Sequence, residues 1–300
     1  MKVRARCAMC LFSRGIAQTL LATNDQIVQF EVIKELFNMF QEKFNEKSIP
    51  AIVGTWRDRI IRKVSGNNDP YKNEKEISNR IALKFEHLLE KKINLVSDPY
   101  QKFRFSVLIS IVGNVMEFNI QDHNITTENL EKKLENLIES IEEDLVIDEI
   151  KAMYDYLKQG LKVLYLTDNA GEILFDKFLI KTLMDKNIKV IVAVKGEPAL
   201  NDAMMEDAIY VGLNKINGVE LITTENDHVG IIFDEISTNF KKYIDNADLI
   251  IAKGMGYFEC LFEEESLNKP IIHLFRTKCL TVANSLGIEL GKNVSMFRMY

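Results

Sequence analysis

The spacing of apolar residues changes near the middle of the chain. In the first half, apolar residues recur every three or four positions, which is the period of a helix with one buried face. Pro, Gly, Asn and Asp clusters separate the periodic segments. They predict helices over 25–47, 52–65, 73–92 and 101–116. Residues 127–150 are highly charged with the same period and predict a further helix or helix pair.

From residue 161 onward, short apolar runs alternate with helical segments. The runs predict strands at 162–167, 189–194, 219–223, 248–252 and 271–275, and the last nine residues predict an edge strand. Strands that alternate with helices are typical of a parallel, doubly wound sheet. The sequence therefore predicts an α/β fold with two domains, a helical one over 1–150 and an α/β one over 151–300.

The first predicted strand is followed by the clearest candidate chemistry. The stretch 161–176 combines a buried strand, an abrupt polar turn from Asp168 to Glu172, and a helix. Asp168 and Asn169 offer a carboxylate and an amide carbonyl at a strand end, where open α/β sheets bind ligands. Such hard oxygen donors suit Mg²⁺ or Mn²⁺. The alternative is that one of the two side chains only caps the following helix.

The residues that follow the other predicted strands belong to the same edge of the sheet, because parallel strands end on one side. They are Lys195-Gly196-Glu197-Pro198, Asn201-Asp202, the segment from Lys253-Gly254 to Glu259, Arg276, and Lys278-Cys279. The glycines would let backbone N–H groups approach phosphate oxygens at helix N-termini. Together with the acidic donors, they predict a divalent cation beside an anionic, phosphorylated group. Taken alone, each lysine would be interpreted as a solvated strand end.

Composition and charge exclude several classes of protein. The 300 residues are 47% hydrophobic and carry a net charge of −6, which disfavours a nucleic-acid partner because phosphate binding needs a basic face. The longest apolar run, 105–116, is shorter than the ~18 residues that span a bilayer, so no membrane partner is expected. Arg14 and Gln18 interrupt the apolar part of the chain's start, unlike a secretion signal. With four cysteines, this indicates a cytoplasmic protein without structural disulfides.

Several familiar catalytic signatures are absent from the sequence. The turn after the first strand lacks the GxGxxG of a dinucleotide or S-adenosylmethionine site, and it lacks the second Asp of phosphatases that form an aspartyl-phosphate. There is no Walker A motif, no Gly-x-Ser-x-Gly and no His-Glu-x-x-His. The histidines show no metal-ligand spacing; they are His87, His123, His228 and His273.

Three groups of residues together resemble the metal-dependent damage-control phosphatase family, long grouped as a domain of unknown function. They are Asp168-Asn169-Ala170-Gly171-Glu172, the segment from Lys195-Gly196-x-Pro198 through Asn201-Asp202 to Glu206-Asp207-Ala208, and Lys253-Gly254-x-Gly256-x-x-Glu259. The likeness extends into the helical half through Asp69-Pro70-Tyr71 and Gly113-Asn114. With Cys7-x-x-Cys10 and Lys278-Cys279, the chain is similar to the prokaryotic and archaeal branch.

The resemblance implies a Rossmann-like, mostly parallel α/β domain beside an all-helical N-terminal domain. It also implies hydrolysis of small phosphorylated metabolites, such as sugar phosphates or nucleotide-like compounds, some of them damaged or side products. The implied cofactor is a divalent metal ion, Mn²⁺, Mg²⁺, Co²⁺ or Ni²⁺. Its implied ligands are Asp168, Asn169 and Asp202, and Asp168 and Asp202 are the residues expected to support catalysis.

The resemblance further implies a set of substrate-binding residues. Lys253 matches a phosphate-contacting lysine, and Gly254 lies beside it, while Glu172 and Asn114 match residues that line the pocket. The chain departs from the family at Glu117, where relatives often have Asp, so the role of that position is open.

Cys7 and Cys10 permit two interpretations. One CxxC lacks the second pair of a structural zinc site, although Cys279 would complete a three-thiolate cluster if the N-terminus folded against the sheet edge. Otherwise the cysteines are free, packed thiols. Cys260, within an apolar helix, is predicted to lie in the core.

The leading hypothesis is a phosphatase in which a cation held by Asp168, Asn169 and Asp202 orients or acidifies a water. Lys253 and helix N-terminal amides would neutralise charge on the phosphoryl oxygens. Two alternatives belong to other classes. One is a non-catalytic protein that binds an anionic metabolite in the same pocket. The other is an S-adenosylmethionine-dependent carboxyl methyltransferase, described for a eukaryotic branch and supported poorly here because the glycine-rich cofactor turn is missing.

Overall fold

The computed structural model describes residues 1–115 and 127–299, and the side chains of these residues except 114, 115 and 127–134. Glu117, His123 and the side chain of Asn114 lie outside the described part. Helices make up the first half: α1 Cys7–Ala22, α2 Gln26–Lys43, α3 Pro50–Ser65, α4 Lys72–Leu83, α5 Glu86–Asn94, α6 Pro99–Val115 and α7 Thr127–Asp144.

Strands and helices alternate in the second half. The strands are β1 Leu145–Asp148, β2 Lys162–Leu166, β3 Lys189–Val194, β4 Glu220–Thr223, β5 Leu249–Lys253, β6 Ile271–Arg276 and β7 Asn293–Arg298. The helices are α8 Ile150–Tyr156, α9 Glu172–Asp185, α10 Met205–Tyr210, α11 Thr238–Asn246, α12 Gly254–Leu261 and α13 Leu280–Leu286. Single 3₁₀ turns lie at Leu213–Lys215, Phe233–Glu235 and Glu265–Leu267.

The seven strands form one sheet in the order β1-β7-β6-β5-β2-β3-β4. Every neighbouring pair is parallel except β6 and β7, which are antiparallel. The chain runs outward from β2 through β3 to β4, then returns to the other side of β2 as β5 and continues to β6. The strand order therefore reverses between β2 and β5, and the carboxyl ends of strands at such a reversal are where open α/β sheets bind ligands.

The predicted α/β class and the five predicted central strands are confirmed, but three details of the prediction were wrong. The helix predicted over 73–92 is two helices, α4 and α5. The segment 127–150 contains β1, whose four residues are too few to establish a periodicity that differs from a helix. The last strand is internal, because β7 pairs with both β1 and β6.

The sheet is covered on both faces, and β2 shows how. Val163 and Tyr165 point into a core shared with α6 and α9, whereas Leu164 and Leu166 point into a second core with α11 and α12. All four side chains are buried, as expected for a strand that is packed on both sides. The site-bearing strand is thus held rigidly by both layers.

The first three helices have a small apolar core of their own, built around Val32, Leu36, Val53 and Ile61. Helix α3 also packs against α12, so this helical unit lies over the sheet edge where β5 ends. The predicted domain boundary at residue 150 stays a prediction, and β1 shows that the sheet begins before it. No helix within 1–115 or 127–299 has the length and apolar character needed to cross a bilayer.

Candidate active site

Backbone hydrogen bonds tie the turn after β2 to the loop after β3. The amide of Ala203 donates to the carbonyl of Asp168 at 2.8 Å, and Asn169 pairs with Asp202 in a short antiparallel bridge. These contacts bring together the three residues that the sequence suggested as cation ligands. Each of the three also lines one cavity at the sheet edge.

The side chain of Asn169 is oriented by two carboxylates. Its amide nitrogen donates to Asp168 Oδ2 and to Glu172 Oε2, both at 2.8 Å. Because the nitrogen end is committed to these acceptors, the carbonyl oxygen is the end available to a cation. Glu172 therefore fixes the orientation of Asn169 from below the cavity, in the way that outer carboxylates orient metal-binding side chains.

Glu172 is completely buried because a helix passes directly over it. A Cβ added to Gly113 would lie 2.8 Å from the Glu172 Cγ and 3.0 Å from its Cα. The backbone of α6 therefore lies directly against both the side chain and the backbone of Glu172 in α9. This contact gives a physical reason for glycine at position 113, within the Gly113-Asn114 motif. Pocket-lining roles for Glu172 and Asn114 stay predictions; the structure places Glu172 beside the cavity and in contact with Asn169.

Gly254 lies against the carboxylate of Asp168. Its φ of +76° is in the left-handed region, and an added Cβ would lie 2.1 Å from Asp168 Oδ2. Any side chain would have to displace the carboxylate or the start of α12. The position thus requires glycine for both its backbone conformation and its close approach.

Lys253 is fully buried, and three acceptors surround its ammonium group. Nζ donates to Glu172 Oε1 at 2.7 Å, to Asp176 Oδ1 at 2.5 Å and to the Ser110 carbonyl at 2.8 Å. An ammonium group has three N–H donors, so this set fills its hydrogen-bonding capacity. The structure places Lys253 beneath the cavity as the counter-ion of two carboxylates. Its predicted contact with phosphate stays a prediction.

Lys195 is the counter-ion of Asp202. It is buried, and Nζ lies 3.3 Å from Asp202 Oδ2 while it donates to the His228 carbonyl at 2.5 Å and to the Tyr257 hydroxyl at 3.0 Å. The contact with Asp202 is close enough for an ion pair, yet its angle leaves Oδ2 without a proper hydrogen bond to any described residue. Asp202 therefore retains acceptor capacity in a buried setting.

The two aspartates resist ionisation in the absence of further positive charge. Desolvation raises the pKa of Asp202 to about 7, against the opposing effect of Lys195. Asp168 is half-buried, and its pKa is raised well above the ordinary range. The largest cause is removal of its carboxylate from water, and the negative charges of Glu172 and Asp202 add to it. Adjacent carboxylates disfavour each other's charged form. A divalent cation would remove this penalty, and it would bind two carboxylates and one amide oxygen.

No cluster of three or more His, Cys, Asp or Glu with metal-holding geometry is found in the described ranges. The proposed donor set is compatible with this, because Asn169 is one of its three members. The three-thiolate interpretation gains no support. All four cysteines are free thiols, and Cys260 is buried as predicted.

The cavity has a volume of about 330 Å³ and lies between the first helices and the sheet edge. One wall carries Asp168, Asn169, Asp202, Gly256, Glu259 and Lys278, and the other wall carries Arg6, Cys7, Cys10, Arg14, Gly54 and Arg57. Arg14 and Arg57 were missed as site residues by the sequence prediction, whereas Lys278 was placed at this edge of the sheet but given no role of its own. Lys278 follows β6 within the motif already noted, whereas no motif marked the two arginines.

Fold and cavity define an α/β protein with a mostly parallel sheet whose acidic and amide donors meet at the strand-order reversal. Comparison with known proteins gives the family. The family described as "Damage-control phosphatase ARMT1-like domain" matches residues 3–294, and this chain belongs to it. Membership supports a phosphatase role.

Individual relatives align with this chain over nearly their whole length. A protein of Methanocaldococcus jannaschii is 37% identical over 99% of this chain and 96% of its own. The "Damage-control phosphatase" of Archaeoglobus fulgidus is 34% identical over 98% of this chain and 99% of its own. A crystal structure of a DUF89 family protein from Pyrococcus horikoshii is 32% identical, covers 99% of both chains and superposes with a TM-score of 0.87.

Proposed function

We propose that this protein is a divalent-metal-dependent phosphatase that hydrolyses small phosphorylated metabolites, such as sugar phosphates or nucleotide-like compounds. The observation that carries the proposal is the convergence of Asp168, Asn169 and Asp202 on one cavity at the strand-order reversal. The donors are all hard oxygens, and the acidic pair has raised pKa values that a cation would lower again. We also expect a role in removing damaged or side-product phosphorylated metabolites, which membership of the family supports.

Asp168, Asn169 and Asp202 would hold Mn²⁺, Mg²⁺, Co²⁺ or Ni²⁺. The bound cation would supply charge neutralisation of the phosphoryl group and a more acidic water. Glu172 keeps the amide of Asn169 turned so that its oxygen faces the cation, and Lys195 keeps Asp202 in place. Both are positioning residues, because neither lies on the cavity surface.

The remaining charge on the phosphoryl oxygens needs donors from the protein. Lys278 is half-buried, lines the cavity and is close enough to Asp168 to affect its pKa. We expect its ammonium group to bind a phosphate oxygen. Met255 and Gly256 also line the cavity in the first turn of α12, where backbone N–H groups are directed at bound anions. Lys253 would reach phosphate only by exchanging one of its three present partners.

The size of the cavity favours a metabolite over a polymer. A volume of about 330 Å³ lies at the lower end of small-ligand sites, roughly 300–1,000 Å³. The free thiols suit the reducing conditions of the cytoplasm, where we expect the protein to act. The methyltransferase alternative has no observation in its favour, since the turn after β2 lacks the glycine-rich cofactor sequence. A binding protein without catalysis stays as the second candidate, because the same pocket would serve it.

Metal removal and replacement test the proposal. Purified protein is treated with EDTA, dialysed, verified to be metal-free, and assayed on p-nitrophenyl phosphate and a panel of sugar phosphates with each of the four cations. We expect no turnover in the metal-free protein and recovery on metal addition. Full activity without metal would exclude the metal-dependent mechanism. Phosphate-ester binding without turnover under every condition would favour the binding protein.

A further inference from the structure

The wall of the cavity that the helical unit provides is positively charged. Arg6 and Arg14 come from the start and middle of α1, and Arg57 comes from α3. The acidic lining residues, Asp168, Asp202 and Glu259, all belong to the opposite wall. The proposed cation site and the arginines therefore face one another across a single space.

Arg57 is the unusual member of this wall. Only 2% of its surface is exposed, and the one hydrogen bond that it forms with the described residues runs from Nη1 to the Leu11 carbonyl at 3.3 Å. Its Nε has no hydrogen-bond partner among the described residues. The adjacent Asp58 accepts instead from Arg62, at 2.9 Å, and from Gln18. A buried guanidinium without a hydrogen-bonded carboxylate is costly, so a further anionic partner is expected.

The position of Arg57 is fixed by packing. A Cβ added to Gly15 would lie 3.1 Å from Arg57 Cδ, so α1 holds the aliphatic part of the side chain against α3. The positive charge of Arg14 lies close enough to lower the pKa of Arg57, after the larger effect of burial. Two like charges gathered in one small cavity are unfavourable unless an anion lies between them. Packing that fixes a charge of this kind is typical of a built binding site.

We propose that the helical wall is a second anion-binding subsite, with Arg57 and Arg14 as its main ligands. The preferred substrates would then be phosphate esters that carry another anionic group, a carboxylate or a second phosphate, at the end remote from the hydrolysed phosphate. This inference rests on the proposed function for the first phosphate. It goes further because it names the substrate class. Phosphate esters whose remaining part is uncharged would be the poorer substrates.

Non-hydrolysable phosphonates test the subsite without turnover. Phosphonoacetate, 3-phosphonopropionate and 4-phosphonobutyrate are each compared with the alkylphosphonate of equal chain length, by calorimetry with and without Mn²⁺. A series of alkane bisphosphonates distinguishes a second phosphate from a carboxylate. On the parent protein, we expect at least one phosphonate with a second anionic group to bind about tenfold or more tightly than the alkylphosphonate of equal length. A hydrogen bond between charged groups accounts for a difference of this size.

Three matched substitutions identify the residues responsible. Arg14→Gln and Arg57→Gln should each remove most of the advantage of the second anionic group and weaken the binding of alkylphosphonates much less. Arg4→Gln is the control, because Arg4 is exposed in the same segment but does not line the cavity. If Arg57→Gln fails to fold, Arg57 has a structural role, and the exposed Arg14 alone decides whether the subsite exists. An advantage that is absent in the parent, or that survives both substitutions, overturns the proposal.

Thermal melts of the ligand-free protein add a second readout. Because Arg57 is a buried cation without a hydrogen-bonded carboxylate, Arg57→Gln should leave the melting temperature unchanged or raise it. A large fall would assign Arg57 a structural role and overturn its place in the subsite. These measurements depend on binding and stability alone. A protein that bound the doubly anionic phosphonates but hydrolysed nothing would therefore refute the phosphatase and retain the subsite.

Discussion

Replacement of Lys253 by methionine separates two roles that the sequence could not distinguish. If the ammonium group serves phosphate, the variant folds normally and binds phosphate weakly. If it serves Glu172 and Asp176, as the hydrogen bonds indicate, the variant loses stability. We expect the second result. Methionine keeps most of the side-chain volume, so the effect measured is that of the charge.

The size of the expected loss of stability follows from the complete burial of the charged groups. Lys253, Glu172 and Asp176 are completely buried, and loss of one partner from such an ion pair costs about 3–5 kcal/mol because a charge is left uncompensated. For a chain of this size each kcal/mol lowers the melting temperature by about 1.6 °C, so a decrease of about 5–8 °C is expected.

The loss of stability should depend on pH. In the parent, burial opposes the charged form of Glu172, but Lys253 and the hydrogen bond from Asn169 outweigh it and lower the pKa. This carboxylate therefore stabilises the fold above its unfolded pKa, and the effect is lost as the pH falls through the folded value. The parent Asp176 already has a pKa raised to about 6. Without the ammonium group both pKa values move upward, and the variant loses stability as the pH rises through them. The difference between parent and variant should therefore be large at pH 8 and smaller near pH 5.

The assay compares Lys253→Met with Lys278→Met by thermal melts from pH 5 to 8 and by inhibition with inorganic phosphate. Lys278 lines the cavity, so its replacement should preserve the melting temperature and weaken phosphate binding about tenfold or more. The reasoning is refuted if Lys253→Met melts like the parent at every pH while its phosphate inhibition is lost. That outcome would place Lys253 on the phosphate.

Two further predictions concern the geometry around the proposed cation. Gly254→Ala should abolish activity and metal binding, since the new Cβ would lie 2.1 Å from Asp168 Oδ2. Gly66→Ala is the control: Gly66 has a similar φ of +71° but nothing lies within 4 Å of the added Cβ, so the change should cost only about 1–2 kcal/mol of stability. Equal behaviour of the two variants in metal titrations would disprove the steric argument. Asp202→Asn should lose the rise in melting temperature that Mn²⁺ gives the parent, because a neutral amide removes one negative charge from the proposed cation site. Its metal-free melting temperature should also fall, since the buried Lys195 would lose its counter-ion. An undiminished rise with Mn²⁺ would remove Asp202 from the ligand set.

Sequence reasoning located the sheet edge because strand ends are a local property of the chain. The apolar run of β2 and the polar turn that follows it can be recognised without knowledge of the rest of the fold. Parallel pairing then requires the loops after β2 and β3 to meet, as the bridge between Asn169 and Asp202 shows. How deeply each side chain is buried at this edge depends on distant parts of the chain, so it could not be predicted from the local sequence. Lys253, predicted to follow its strand, is the last residue of β5, and α6 covers it through the carbonyl of Ser110.

The helical wall was beyond prediction for a similar reason, although one signal was present. Val53, Arg57 and Ile61 recur at a spacing of four, so Arg57 lies on the apolar face of its helix, where a cation is out of place. Such a residue needs an anion, and the sequence does not indicate whether a protein carboxylate or a ligand provides it. The adjacent carboxylate of Asp58 accepts its hydrogen bonds from Arg62 and Gln18, so its charge offsets that of Arg57 only in part. Arg57 lines the cavity, so we expect the anion that offsets the cost of burying its charge to come from the ligand.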